Sequence, residues 1–283
     1  MKFNSGPWLI EFTPEDGARL DRIAYNNYDL ITTEPENFRK PNSNYGEYEN
    51  RPVYGYDDCF PSVEPCQFPE TGWKIPDHGE LCWLNWNYLI DGNRLEFNTK
   101  SKALPVQFKR EMIFSPAGIT WNFEVINKGK KNIPFQHVMH PLMKLDEISS
   151  VHFPEFQTVY NLTVNRNLEL KSSEKVQDFL LSQSKGSTNM LFLKKINDGK
   201  LSFTYKNGLL LKMLFPLKYF SSIGIWWNNS GYPDEEGIRR NECAFEPVPG
   251  LSSNLANEFR LGNYLEVLPN AKFEWKIIWE LYS

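Results

Sequence analysis

Only four of the 283 residues are cysteine and only four are histidine. A chain this long does not need disulfide staples, and no CxxC pair marks a zinc ribbon or a redox motif, so the cysteines read as structural thiols. Basic runs are missing and the net charge is −4. Affinity for nucleic acid rests largely on neutralising phosphates, so no nucleic-acid partner is expected. No apolar stretch approaches the ~20 residues a membrane span needs, and no membrane partner is expected either. Residues 1–7 contain no apolar segment of the kind that drives secretion, so the expected location is cytoplasmic. Phosphate-cradling glycine loops (GxGxxG, GKS or GKT), the GxSxG elbow and HExxH are all missing. These absences set aside dinucleotide enzymes, P-loop NTPases, serine hydrolases of the elbow type and the common zinc proteases.

What the chain does have is aromatic side chains, at 15% of residues with 9 Trp, 13 Tyr and 20 Phe. Aromatics favour strands and also stack on the apolar faces of sugars. Residues 272–282 alternate Phe273, Trp275, Ile277, Trp279 and Leu281 with mostly charged neighbours, the period-2 pattern of a strand with one buried face. Residues 118–127 repeat the pattern. Asn127-Lys128-Gly129 then predicts a turn, and residues 133–140 a second strand, so the pair is expected to form a hairpin. Further strands are expected at residues 9–12, 19–25, 104–113, 189–195, 209–215 and 222–227. One short helix is expected near residues 173–182, capped by Ser172 or Ser173. Many short strands separated by turn signals imply an all-β sandwich in one domain covering residues 1–283. Two segments, 32–77 and 230–241, are too long to be plain connections. The first is rich in tyrosine and is expected to fold over one face of the sheets.

His78 lies in Pro76-Asp77-His78-Gly79-Glu80-Leu81, a turn by composition. His140 ends a predicted strand at Pro141, where it can project into a cleft. His137 has the opposite parity, so at most one of the two can serve a site on a given face, and parity does not say which. His152 has no motif around it. Glu246 sits in Phe245-Glu246-Pro247-Val248-Pro249-Gly250. The prolines restrict the backbone and so can orient the carboxylate, and partial burial would raise its pKa toward that of a working base. Asp57 and Asp58, adjacent in an aromatic loop, can hydrogen-bond sugar hydroxyls or cap a turn. Trp226, Trp227 and Asn228 end another strand, with one Trp facing the core and the other the opposite side.

In order along the chain, these segments resemble those of the aldose 1-epimerases, the galactose mutarotase-like proteins. The likeness rests on Pro76-Asp77-His78-Gly79-Glu80-Leu81, on His140-Pro141-Leu142-Met143-Lys144-Leu145, and on Ile223-Gly224-Ile225-Trp226-Trp227-Asn228. It extends through Phe245-Glu246-Pro247-Val248-Pro249-Gly250 to Leu268-Pro269-Asn270 before the last strand. The resemblance implies a β-supersandwich of large antiparallel sheets with few short helices. It implies an isomerase of carbohydrate metabolism that interconverts the anomers of a free or modified aldose. Glu246 would be the general base, His140 the general acid and His78 a third catalytic group, which leaves His137 structural. Asp57, Asp58, Asp77, Trp226 and Asn228 would bind substrate. A monosaccharide or a sugar end is the implied partner, for a monomer or homodimer. No cofactor is required, although a calcium ion held by carboxylates fits such a site. The chain departs from the common members in lacking their Asn-Arg-Ile segment, and Arg51 inherits no role. Two other readings compete. One is a carbohydrate-binding domain without turnover. The other is a sandwich-fold glycoside hydrolase or lyase using Asp57 or Asp58 with Glu246 as paired carboxylates.

Overall fold

The computed structural model describes residues 1–35, 45–51, 53–69, 71–234 and 237–283. The middle of the expected 32–77 overlay, residues 36–44, and residues 235–236 of the 230–241 segment lie outside the described residues. Antiparallel strands dominate, and three large sheets organise them. An eight-stranded sheet runs in the order Ile148–His152, Lys200–Tyr205, Leu210–Leu214, Lys272–Tyr282, Gly118–Asn127, Val106–Ser115, Arg94–Lys100 and Asn87–Asp91. The period-2 segments of the sequence are its centre: Trp121 pairs with Ile277 and Ile119 with Trp279. Their alternate side chains form one inner face, where Trp121 and Trp279 are fully buried.

The amino-terminal strands Lys2–Ser5, Trp8–Thr13 and Arg19–Tyr25 lead into Tyr56–Cys59 and then Val138–Pro141, all in one six-stranded sheet with Tyr28–Asp29 at its side. A second six-stranded sheet holds Met143–Lys144, Arg240–Val248, Ser222–Tyr232, Ser187–Lys194, Thr158–Asn161 and Arg166–Leu168. One continuous apolar cluster links the three sheets, from Phe3 and Trp8 through Phe108 and Trp275 to Phe203 and Phe245.

The expected hairpin between residues 118–127 and 133–140 does not form. Gly118–Asn127 is taken on both sides by Val106–Ser115 and Lys272–Tyr282. The second segment divides: Ile133–Phe135 pairs with Leu265–Val267, whereas Val138–Pro141 pairs with Tyr56–Cys59. The division falls at Gln136 and His137. Gln136 Nε2 donates to the carbonyls of Pro249 and Ser252, so its side chain holds another segment at the point where the ladder lapses. The expected helix spans Ser173–Leu181, with Ser172 as cap accepting from the Lys175 amide. A second helix, Leu255–Leu261, was not expected. Asn254 caps its start and Gly262, at φ 73°, ends it in the left-handed region. No helix among the described residues is long and apolar enough to cross a membrane.

Candidate active site

Two sheets meet where Val138–Pro141 gives way to Met143–Lys144. Within three residues the chain leaves the Tyr56–Cys59 ladder, where His140 lies opposite Asp57, and joins Arg240–Val248, where Met143 lies opposite Cys243. A cleft of about 450 Å³ opens at this junction, large enough for a sugar ring. His140 enters it from one sheet. Arg240, Glu242 and Glu246 enter from alternate positions of one strand on the other. Trp226 lines the same cleft while Trp227 turns into the core, as parity requires.

Glu246 and His140 form the deepest polar pair. Oε1 of Glu246 lies 3.6 Å from Nε2 of His140, and both side chains are almost wholly buried. Burial pushes the Glu246 carboxyl up to about 7, with His78 acting weakly against it. Burial, then His78, Arg240 and Arg51, hold the His140 imidazole well below its usual value. Room for the carboxylate comes from Gly224 opposite it in the ladder, where a Cβ would stand 3.0 Å from Glu246 Oε2.

Tyr48 orients the histidines. Its hydroxyl donates to Asp57 Oδ2 at 3.1 Å and lies 3.3 Å from His140 Nδ1. With its own proton given to Asp57, the Tyr48 oxygen accepts from Nδ1–H of His140. Nε2 is then the nitrogen left to face Glu246. The Tyr48 ring also stacks on His78, with centroids 3.6 Å apart and planes 10° from parallel. His78 stands at φ 60°, a left-handed conformation unusual for a residue with a side chain. Gly79 follows at φ 76°, where a Cβ would strike the Phe60 carbonyl at 2.1 Å. Glu80 then anchors the loop by accepting the amides of Lys102 and Ala103.

Residues expected to bind substrate divide by position. Asp77 and Trp226 line the cleft. Asp57 does not. It is buried, with Oδ2 taken by Arg51 at 2.6 Å and by Tyr48, and so acts on the cleft only through Tyr48. Asp58 is a correction: it points to the opposite side of its strand, into the core, where Arg110, His137 and Tyr56 all bind its carboxylate. Burial works to raise this carboxyl, but the ion pair with Arg110 and the bond from His137 bring it below its ordinary value. His137 is the neutral, structural partner, packed among Phe108, Phe123 and Trp275. Asn228 is a second correction. Its Oδ1 accepts from Thr188 and from the Gly231 and Tyr232 amides, and its Nδ2 donates to the Tyr232 carbonyl. It shapes the strand end and has no free edge for a sugar. With Asp57 and Asp58 both out of the cleft, neither opposes Glu246 as a hydrolase pair would.

Several cleft residues had no motif to announce them. Tyr48 lies in an aromatic segment with no distinctive spacing. Arg240 donates to Glu242 at 2.8 Å and to Glu49 at 2.9 Å, and Glu242 also accepts from the Trp226 indole. The two-residue interval between Arg240, Glu242, Ala244 and Glu246 was the available signal, since it puts all four on one face of the strand.

No protein-family model matches the sequence, and no curated protein matches it. Solved structures do. A provisionally assigned aldose 1-epimerase from Escherichia coli K12 superposes with a TM-score of 0.73 at 11% identity, covering 99% of this chain and 98% of that one. A galactose mutarotase-like protein from Clostridium acetobutylicum gives 0.71 at 14% identity, covering 99% and 94%. A galactose mutarotase related enzyme from Lactobacillus acidophilus gives 0.70 at 14%, covering 100% and 97%. Likeness at this identity concerns the fold alone.

Proposed function

From the galactose mutarotase-like fold and the acid–base pair in its cleft, we propose that the chain is an aldose 1-epimerase, interconverting the α and β anomers of a free or modified aldose. The observation that carries this reading is the Glu246–His140 pair, 3.6 Å apart, with the carboxyl raised to about 7. A site that only binds sugar has no need of a carboxyl tuned to neutrality. An acid–base catalyst does.

Anomer exchange moves one proton at each end of a single bond. The anomeric hydroxyl loses a proton as the bond from C1 to the ring oxygen breaks, and the ring oxygen gains one. The products are an aldehyde and a free hydroxyl. Rotation about the C1–C2 bond and reclosure on the other face give the other anomer. Glu246 accepts the hydroxyl proton while protonated His140 donates to the ring oxygen, and reclosure reverses the roles. The pair therefore needs one proton between its two groups. His78 hydrogen-bonds the ring oxygen or a neighbouring hydroxyl, and Trp226 offers an aromatic face to the sugar. Each positioned acid or base contributes about 10²–10⁴-fold.

The test is polarimetry or NMR exchange on freshly dissolved α-aldoses, comparing the wild type with Glu246→Gln and His140→Asn. Acceleration by the wild type and its loss in both variants is expected. Equal rates for all three proteins, on every sugar tried, would sink the reading.

A further inference from the structure

Beneath the acid–base pair lies a group of side chains that anomer exchange does not use in full. Cys59 is wholly buried and carries a free thiol. It ends the strand Tyr56–Cys59 opposite Val138, two positions before His140, and the bridge from Phe60 to Gly79 brings the His78 loop alongside. One ligand atom from each of Cys59, His78 and His140 lies within 4.8 Å of the others.

From this geometry we propose that Cys59, His78 and His140 form a three-residue site for a soft divalent transition-metal cation, zinc by preference. Three features beyond proximity support it. First, both imidazoles have one ring nitrogen engaged from outside the cluster. Nδ1 of His78 meets Asp77 at 3.1 Å, and Nδ1 of His140 meets the Tyr48 hydroxyl, itself bonded to Asp57. Each ring thus has Nε2 left for a metal, and its outer nitrogen has the carboxylate or hydroxyl partner that orients metal-binding histidines elsewhere. Second, the donors are one sulfur and two nitrogens, a set that suits zinc and discriminates against calcium, which takes six to eight oxygens. Third, the donors come from three separate segments, the paired strands Tyr56–Cys59 and Val138–Pro141 and the 76–79 turn.

A tetrahedral zinc site has ligand-to-ligand edges of about 3.3–3.7 Å, so the cluster closes by roughly 1 Å on binding. Cys59 is a free, buried cysteine, and a thiol must give up its proton to ligate a metal. Metal binding forms the Cys59 Sγ–metal bond and releases the thiol proton to solvent, as thiolate ligation does in general, so affinity rises with pH. The cation would occupy the His140 imidazole that moves a proton in catalysis. Bound zinc is then an inhibitor of mutarotation, and that consequence alone rests on the proposed activity.

The test is titration of the metal-free, reduced protein with Co²⁺ as a spectroscopic stand-in, followed by competition with Zn²⁺. One equivalent of Co²⁺ should give a thiolate-to-cobalt charge-transfer band in the near ultraviolet and the intense visible bands of a tetrahedral site, both erased by zinc. Cys59→Ser should abolish the charge-transfer band and weaken binding by at least 10-fold, with Cys66→Ser unchanged. His78→Asn, on the turn, should weaken binding by at least 10-fold while keeping the charge-transfer band, and serves if Cys59→Ser does not fold. Absence of the band in the wild type, its survival in Cys59→Ser, or unchanged affinity in His78→Asn overturns the proposal. The metal readout is independent of turnover. Cobalt binding in a protein that accelerates no sugar leaves the metal site standing and removes the epimerase reading, and mutarotation without cobalt binding does the reverse.

Discussion

Nε2 of His140 and Oε1 of Glu246 stand 3.6 Å apart on strands of two different sheets, and burial drives their proton affinities past each other, so that their usual order is inverted. Free in water, the imidazole is the stronger base. Here the carboxyl rises to about 7 while the imidazole falls well below 6.5. At neutrality the pair holds at most one proton, which rests mainly on Glu246, so catalysis draws on the minor form that carries it on His140.

That arrangement sets the pH dependence. The form with one shared proton has both an acid and a base. Deprotonation of the pair leaves a base without an acid. kcat/KM is therefore expected to decline as pH rises through about 7, where the Glu246 carboxyl loses its proton. A pH series of mutarotation rates, corrected for the spontaneous reaction, measures this. A rate that climbs through the same range would show that ionised Glu246 works with a different acid.

Glu246 also costs the fold stability. Unfolded, its carboxyl titrates near 4.5, but folded it titrates near 7, so the native state binds the proton more tightly. Stability is full below the unfolded value, falls as pH rises between the two, and stays low above 7. A gap of this size corresponds to roughly 3 kcal/mol. Glu246→Gln is expected to be more stable than the wild type at pH 8 by about that amount, and no more stable at pH 4. Urea unfolding at the two pH values gives the comparison, and a variant equally destabilised at both would contradict it.

Tyr48→Phe keeps the stacking on His78 but removes the acceptor for His140 Nδ1–H. The ring is then free to change tautomer and to tilt. A fall in kcat of roughly 10- to 100-fold is expected, with little change in KM, because the lost contact positions a proton donor and touches no substrate. Steady-state kinetics separates the two constants, and an effect confined to KM would place Tyr48 against the sugar.

Asp58→Ala tests the other carboxylate of the pair Asp57–Asp58. It leaves Arg110 buried and charged without its partner, for an expected loss of about 3–5 kcal/mol. Whatever protein stays folded should retain its kcat. Thermal unfolding alongside polarimetry reads both quantities, and unchanged stability would remove the structural role assigned here.

The strands at 118–127 and 272–282 were legible because one face of each is buried and the other solvated, so side-chain alternation is written into the residues. Pairing was not legible. Whether residues 118–127 met their sequence neighbour or Lys272–Tyr282 depended on contacts across 150 residues of chain, and a turn signal at Asn127-Lys128-Gly129 favoured the local answer. The cleft divides the same way. Glu246, His140 and His78 sit in short segments with prolines or glycines that constrain the backbone, and such segments can be picked out by eye. Asp57 and Asp58 looked equivalent in sequence, yet alternation sends one toward Tyr48 and the other into the core. Tyr48 and Cys59 gain their significance only from what the fold sets beside them.

The crossing from one sheet to the other at Leu142 acts as a gauge block. Only Pro141 and Leu142 separate His140, registered against Asp57, from Met143, registered against Cys243, three positions before Glu246. The distance between donor and acceptor is thus fixed by a short run of covalent bonds and two ladder registers. It does not depend on how the large sheets settle against each other. Changes on the flanks of the molecule can therefore leave the separation that matters for proton transfer unaltered. A single residue inserted at 142 would disturb it more than a long insertion in the 91–94 hairpin at the far edge of the eight-stranded sheet.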